Sequence, residues 1–148
     1  MNTKFSLIAA ALAMAWSMGS LAQSAQQSDK QRIQQEYKAA KEKCRDLQDN
    51  GKKICEAEAE GQQKIAEAQA KVQERDTPKN RLELAEAKAE AQYDVAKAKC
   101  GDQVGDAKDA CEKQAKAARD GAMAQARMDS QKQGSAAGAS GQPAAKPQ

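Results

Sequence analysis

The four cysteines of this 148-residue chain form two pairs with the same spacing, and this feature most constrains what the chain can fold into. Each pair encloses ten residues, and the second pair, Cys100 and Cys111, lies 56 positions after the first, Cys44 and Cys55. With that offset, 10 of the 23 positions from 37 to 59 are identical in the second copy, so one unit has been duplicated. Besides the cysteines, the identical pairs are Tyr37 and Tyr93, Ala40 and Ala96, Lys41 and Lys97, Lys43 and Lys99, Asp46 and Asp102, Lys52 and Lys108, Glu56 and Glu112, and Ala59 and Ala115.

The first 22 residues have the pattern of an export signal, which does not belong to the fold. Lys4 supplies the charged start, an apolar stretch runs from Phe5 to Trp16, and small residues precede position 23. We therefore expect cleavage between Ala22 and Gln23 and a mature protein that is periplasmic or secreted. The apolar stretch is too short for a comfortable membrane span, so we expect no transmembrane segment after cleavage.

The mature chain, residues 23–148, is poor in the side chains that build a globular core. Its only aromatic residues are Tyr37 and Tyr93, and it has nine Leu, Ile and Val residues. Such a chain cannot order itself by apolar burial alone, because too little apolar area leaves the water. We expect helix propensity and disulfides to supply the order instead.

The charge distribution argues against a nucleic-acid partner. Lys4 is the only charge in the signal, so the mature chain carries a formal +2 where the whole chain carries +3. Acidic and basic residues alternate with alanine, which is typical of a solvated helix surface rather than a basic stripe. We expect no nucleic acid among the partners.

The composition of residues 29–128 predicts an all-α fold of about four helices. Ala, Lys, Glu, Gln and Arg dominate, and β-branched residues are few. Asn50-Gly51 interrupts the first unit, Asp76-Thr77-Pro78 separates the two units, and Gly101 with Gly105-Asp106 interrupts the second. These breaks divide the region into two disulfide-stapled helical hairpins, and a disordered tail rich in Ser, Gly and Pro follows. The predicted helices cover 29–48, 52–75, 78–100 and 106–128, the hairpin units cover 23–76 and 77–128, and the tail covers 129–148.

Helix caps are predicted at the breaks. Thr77 can cap the third helix with its hydroxyl while Pro78 occupies the first turn, where its missing N–H costs nothing. Asn50 and Asp106 lie at equivalent positions in the two units, and either side chain can cap the helix that follows it.

Apolar residues recur at alternating steps of four and three, the spacing of a coiled-coil seam. Tyr37 and Tyr93 lie at equivalent seam positions, so we expect them to pack beside the disulfides rather than to stack on a ligand. The seam of the second helix is thinner, and the seam of the fourth helix contains small residues only. Small residues bury little apolar area, so we expect each seam to contribute modest stability. The seams are Ile33, Tyr37, Ala40, Cys44 and Leu47; Ile54, Gly61, Ile65, Ala68 and Val72; Leu82, Ala85, Ala89, Tyr93, Ala96 and Cys100; and Cys111, Ala115, Ala118 and Ala122.

A disulfide within each pair requires the chain to reverse between its cysteines. In one continuous helix Cys44 and Cys55 would lie about 16 Å apart along the axis, beyond the roughly 7 Å between Cα atoms that a disulfide allows. A reversal near Asn50-Gly51 would bring them level on antiparallel helices. Three connectivities are formally available. Our first choice is Cys44 with Cys55 and Cys100 with Cys111; the second is Cys44 with Cys111 and Cys55 with Cys100, which would resemble the twin-cysteine helical hairpins of mitochondrial import substrates.

Other uses of cysteine do not fit this spacing. Redox-active pairs and covalent haem sites need Cys-x-x-Cys. Zinc sites need more closely spaced cysteines or added His ligands, and the chain contains no His. The missing His also removes the commonest general base, and the carboxylates are spread along predicted helix surfaces. We expect structural disulfides, no cofactor, no metal site and no enzymatic activity.

The repeated unit resembles that of a group of small exported Gram-negative bacterial proteins. The resemblance rests on the doubled cysteine spacing and on the residues shared by the units, and it covers roughly residues 29–128. In that group the bend often reads Leu-x-Gly-Asn, whereas Leu47 is followed here by Gln-Asp-Asn-Gly. Members are mostly uncharacterised, and some are labelled TolA-like cell-envelope biogenesis proteins. The resemblance implies helical hairpins and an envelope location, without a mechanism.

Our leading functional expectation is a non-enzymatic periplasmic protein with a structural or interaction role in the cell envelope. The alternative is a periplasmic stress chaperone or a small-ligand carrier that uses the grooves between its helices. The expected partners are envelope proteins, or anionic envelope components bound by the repeated lysines Lys41, Lys43, Lys97 and Lys99. The sequence leaves the oligomeric state and the packing of the two hairpins open.

Overall fold

The fold consists of four α-helices joined by short turns. A computed structural model describes residues 18–139, and the side chains of residues 28–135. This part of the chain contains no strand, which confirms the predicted all-α class. A 3-10 turn, Cys100–Asp102, precedes the fourth helix. The helices are α1, Met18–Lys43; α2, Asp49–Glu74; α3, Pro78–Lys99; and α4, Gly105–Ala139.

The helices form a layer in which each packs mainly against its neighbours in sequence. Substantial contacts join α1 to α2, α2 to α3 and α3 to α4, and the interface between α2 and α3, which joins the two repeats, is the most extensive. Short connections make successive helices antiparallel. The turns that contain Cys44 and Cys100 therefore lie together at one end of the layer, here called the disulfide end.

The first reversal begins earlier in the chain than predicted. α1 ends at Lys43, and the amides of Cys44, Arg45 and Leu47 donate to carbonyls three residues back, the tight bonding of a 3-10 turn. Leu47 consequently lies outside α1 with 43% of its surface exposed, so its predicted place on the first seam is wrong. Asn50 and Gly51 lie in the first turn of α2 rather than in the break.

Both reversals use the same backbone conformation at the same position of the repeat. Asp49, the first residue of α2, has φ 51°, and Gly105, the first residue of α4 and its equivalent 56 positions later, has φ 56°. This left-handed region costs most L-residues about 1–2 kcal/mol but costs glycine little. The duplication has thus preserved the turn geometry while the residue that adopts it differs.

The ends of the helical layer extend beyond the predicted units. Residues 129–139, part of the predicted tail, continue α4, because they contain no proline and include the helix-favouring Gln131, Lys132 and Gln133. The rest of that tail, 140–148, lies outside the described residues, as do positions 1–17 of the predicted signal. Ala22 and Gln23, the predicted cleavage junction, lie in the first two turns of α1.

The buried residues repeat with the cysteines. Six of the eight buried apolar side chains in the described part form three pairs of equivalent positions, so each hairpin has the same small core. The other two, Ala68 on α2 and Ala91 on α3, have no buried equivalent and lie where the two hairpins meet. The three pairs are Ile33 and Ala89, Cys44 and Cys100, and Ala59 and Ala115.

The interface between α2 and α3 is close because its central residues are small. A Cβ atom built on Gly61 would lie 2.8 Å from the Cβ atom of Ala91 and 3.4 Å from its Cα atom. A contact this short cannot be relieved by rotating a side chain, since the side chain of Ala91 is a single methyl group. Gly61 therefore sets the distance between the two hairpins.

We predict that Gly61→Ala lowers the free energy of unfolding by about 1 kcal/mol. Forcing the helices apart costs about 1–3 kcal/mol, more than the roughly 1 kcal/mol that alanine gains over glycine inside a helix. Urea unfolding of the oxidised protein, followed by circular dichroism, measures the change. The matched control is Gly121→Ala on α4, where an added Cβ meets nothing within 4 Å, and it should raise stability. Equal stabilisation by both substitutions would contradict the close approach.

Candidate functional site

The disulfides join the two cysteines of each repeat. Cys44 is bonded to Cys55 with a Cα–Cα distance of 5.6 Å, and Cys100 is bonded to Cys111 at 5.7 Å. Both distances lie in the usual range for a disulfide. The first predicted connectivity is confirmed, and the crossed pairing is not formed.

Each disulfide lies partly inside the small core of its hairpin. Cys44 and Cys100 are the most buried side chains of residues 28–135, with 1% and 0% of their surface exposed, whereas Cys55 and Cys111 are half-buried. Closing a loop of this length stabilises a fold by about 3 kcal/mol on the chain-entropy model. That contribution is large beside a described core of eight buried apolar side chains, seven of them alanine or cysteine, because a small domain has only about 5–15 kcal/mol in all.

Asn50 joins the two turns of the disulfide end. Its side-chain Nδ2 donates a hydrogen bond of 2.9 Å to the carbonyl oxygen of Ala98, in the last turn of α3. Gly101 makes room for this side chain, since a Cβ at position 101 would lie 2.6 Å from the Asn50 Oδ1 atom. The prediction that Asn50 caps α2 is wrong: the Ncap residue is Gln48, and no side chain caps that end. The local sequence favoured a helix cap at Asn50, whereas the side chain forms a contact between the two repeats.

One surface of the layer is joined by ion pairs at all three helix interfaces. The α2 members of these pairs are Glu56, Glu60, Lys64 and Lys71. At 100° per residue, all four lie on one side of that helix. The pairs are exposed, so each is worth only about 0–1 kcal/mol, but together they fix which helices are neighbours. We call this surface the ion-paired face; its pairs are Lys41 with Glu56 (3.4 Å) and Glu60 (3.4 Å), Lys64 with Asp94 (3.2 Å), Lys71 with Glu83, Arg119 with Glu90 (3.8 Å), and Arg127 with Glu86 (3.4 Å).

The opposite surface carries an open groove of about 390 Å³ between α2 and α3. On α2, the residues that line the groove lie about 150° around the helix axis from the residues that form ion pairs. On α3, the corresponding angle is about 170°. Ile65 and Val95, both half-buried, supply the large apolar side chains. This α2–α3 groove is lined by Glu58, Gly61, Gln62, Ile65, Ala91, Gln92, Val95, Ala96 and Lys99.

The two tyrosines lie half-buried at equivalent places but have different neighbours. Tyr37 lines a small pocket between α1 and α2 together with Gln63. Tyr93 lies under the guanidinium of Arg119, whose Cζ atom is 4.4 Å from the ring centroid, while the Nζ atom of Lys97 lies at 5.9 Å. Gln63 and Arg119 are themselves 56 positions apart, so the second repeat replaces an amide with a cation–π contact.

The turn between α2 and α3 is held by polar contacts at the other end of the layer. Thr77 caps α3 as predicted, its Oγ1 accepting from the Asn80 amide at 3.1 Å, with Pro78 in the first turn. Arg81 binds Asp76 through two nitrogens, Nε to Oδ1 and Nη2 to Oδ2, the latter at 2.7 Å. These hydrogen bonds hold the pKa of the Asp76 carboxyl below its ordinary value of 3.8. The Ser130 hydroxyl of α4 donates to the Pro78 carbonyl at 3.4 Å, which ties α4 to the same turn.

The repeated lysines do not form one cluster of equivalent groups. Lys41 is bound by Glu56 and Glu60, and Lys97 lies near the Tyr93 ring. Lys43 and Lys99 are exposed at the disulfide end, and neither makes an ion pair with another described residue.

Two further kinds of feature are absent from the part of the chain that the structure describes. The described residues contain no group of three or more His, Cys, Asp or Glu side chains placed to hold a metal ion. In residues 18–139, no helix combines the length and the apolar character needed to cross a membrane. In comparisons with known proteins, no family model, curated protein or solved structure matches the chain.

We predict that Asn50→Ala lowers the free energy of unfolding by about 1 kcal/mol, the net value of one partly buried hydrogen bond. The matched control is Gln103→Ala, which removes an exposed carboxamide from the neighbouring turn and should leave stability nearly unchanged. Thermal unfolding of the oxidised proteins measures both. Equal effects of the two substitutions would show that the bond to Ala98 does not stabilise the fold.

We also predict that the interaction between Asp76 and Arg81 stabilises the fold at neutral pH and is lost in acid. Because the folded-state pKa of Asp76 is lowered, its contribution is present above pH 3.8 and disappears as the pH falls through the folded pKa. Unfolding measured between pH 7 and pH 2 should therefore show Asp76→Asn less stable than the parent chain at pH 7 and equal to it in acid. The same substitution in an Arg81→Gln background should have no pH-dependent effect, and a pH-dependent effect there would contradict the pairing.

Proposed function

We propose that this chain is an exported, non-enzymatic protein of the bacterial cell envelope, with a structural or interaction role in the periplasm. The observation that carries the proposal is the pair of intact disulfides, one in each hairpin. Structural disulfides form and persist in oxidising compartments such as the periplasm and are rare in the cytosol. Their large share of the stability suits a protein that works only after export.

The position of the core is compatible with removal of residues 1–22. Ile33 is the first buried residue among the described side chains, ten residues after the expected junction between Ala22 and Gln23. Cleavage would shorten α1 by about one turn at its free end and leave the contacts of Ile33 unchanged. Residues 1–22 could therefore be removed without loss of the buried contacts, which begin at Ile33.

The shape of the molecule supports an interaction role. A layer one helix thick exposes two broad surfaces and buries few side chains, so much of each helix is available to a partner. The lysines that remain for an anionic component are Lys43 and Lys99, exposed at the disulfide end. The support for a non-enzymatic role is the absence of His from the sequence.

The alternative of a small-ligand carrier has one observation in its favour, the α2–α3 groove. Its volume is within the range of about 300–1,000 Å³ that is usual for ligand sites. We place this alternative second because the groove is open along one side, whereas ligand pockets bury most of their ligand.

We predict that the full chain, expressed in a Gram-negative bacterium, is recovered from the periplasm beginning at Gln23 with all four cysteines oxidised. Cell fractionation, N-terminal sequencing and trapping of free thiols measure these properties. A chain without residues 1–22 should remain cytoplasmic with reduced cysteines. Recovery of the full chain in the cytoplasm with free thiols would refute the proposed compartment.

The interaction role is tested in the same cells by crosslinking through lysine side chains. We expect the mature protein to crosslink to an envelope protein. We expect Lys43→Glu to weaken the contact, because it places a negative charge where an acidic partner would bind the disulfide end. Lys116→Glu is the matched control, because it makes the same charge change on the exposed surface of α4. Absence of any envelope crosslink, with the protein correctly exported and oxidised, would refute the interaction role and leave the compartment standing.

A further inference from the structure

The two surfaces of the layer differ in whether their charged side chains form ion pairs between helices. On the ion-paired face, charged residues at each helix interface have partners on the neighbouring helix. On the groove side, Glu58 and Lys99 line opposite rims of the α2–α3 groove, and neither has an ion-pair partner among the described residues. The charges at the helix interfaces of one surface are therefore paired within a single chain, whereas the two charges on the rims of the groove are not.

The apolar part of the groove is also incomplete. Ile65 and Val95 are two of only nine Leu, Ile and Val residues in the mature chain, yet both are only half-buried. Gln62 and Gln92 beside them are exposed. A chain so poor in large apolar residues gains by covering those it has, at about 25 cal/mol for each Å² removed from water.

We propose that two copies of the mature chain associate through this groove, about a twofold axis parallel to the helices. The rotation places α2 of one copy opposite α3 of the other, so the two pairs form an antiparallel four-helix bundle, a common solution for helices with one apolar side. It brings the Glu58 rim of each copy against the Lys99 rim of the other. The interface is self-complementary, as a twofold interface requires.

The heights of the two charged rims suit this pairing. Gly61 lies level with Ala91, so Glu58 is about 7–8 Å further from the disulfide end than Lys99 at 1.5 Å per residue. Helical side chains lean toward the N-terminus of their own helix, which directs Glu58 toward the disulfide end and Lys99 away from it. The two long side chains of opposite copies therefore lean toward each other.

The available surface is large enough for a stable dimer. Two helices about 10 Å wide, over the 22 residues of α3, present about 33 Å by 20 Å, or roughly 700 Å². Stable interfaces bury about 800 Å² on each partner, so the groove side of α2 and α3 supplies most of this area. This inference does not depend on the proposed compartment, because it requires only the oxidised fold.

Charge exchange across the interface provides the test. Sedimentation equilibrium of the oxidised mature chain, residues 23–148, should show a concentration-dependent dimer. Glu58→Lys alone and Lys99→Glu alone should each weaken it at least about tenfold, because each replaces two exposed attractions with two repulsions. The double variant Glu58→Lys with Lys99→Glu should restore the parent affinity, since every acid again faces a base. Lys116→Glu, on exposed α4, should leave the dimer unchanged.

Three results would overturn the proposal. The first is a monomer at every concentration, and the second is a dimer that the single charge reversals do not weaken. The third is a dimer that the double variant fails to restore while circular dichroism shows the fold intact. A monomer that instead binds a fluorescent apolar probe, and loses that binding on Ile65→Gln, would assign the groove to a small apolar ligand.

Discussion

The rest of the structure depends on two disulfides that hold chain reversals which apolar packing cannot hold alone. Among the described residues, the buried apolar side chains are alanines and cysteines with a single isoleucine, Ile33, so each hairpin removes little apolar area from water. Cys44 and Cys100 supply both a covalent link and part of that small core. Because each link fixes two antiparallel helices at one level, it also sets the register in which their alanines meet. Reduction would remove this constraint and leave two thiols in its place, so the small core would have to hold each reversal alone.

Duplication explains the layer better than the picture of two independent hairpins. Each unit has the same three buried positions and the same left-handed residue at its turn, Asp49 or Gly105. The residues that join the units are those that do not repeat, because Gly61, Ala68 and Ala91 have no buried equivalents. A hairpin that could not bury enough surface alone thus gained a neighbour, and the most extensive interface in the molecule is the one that duplication created.

The layer has two unlike surfaces, and that difference connects structure to proposed role. Ion pairs cross all three helix interfaces on one surface. The other surface has Ile65 and Val95 half-buried in a groove, and the Glu58 and Lys99 side chains on its rims make no ion pair with another described residue. Exposed ion pairs add little stability, so their main effect is to specify which helix faces which. A surface without them is free to specify a contact between molecules. The proposed dimer and the proposed envelope role therefore use different parts of the protein, the groove and the disulfide end.

The sequence by itself determined the helical class, the duplication, the cap at Thr77 and the first-choice pairing of the cysteines, because each follows from local propensity or from spacing along one chain. The sequence-based prediction was wrong at Leu47, because the turn begins before that residue and leaves it outside α1. It was also wrong at Asn50, because that side chain binds the other repeat instead of capping α2. Only the tertiary structure decided the order of helices, the close contact of Gly61 with Ala91, and the division into an ion-paired face and a groove. Those features depend on distances between residues on different helices, 12 to 41 positions apart, and no periodicity within a single helix encodes them.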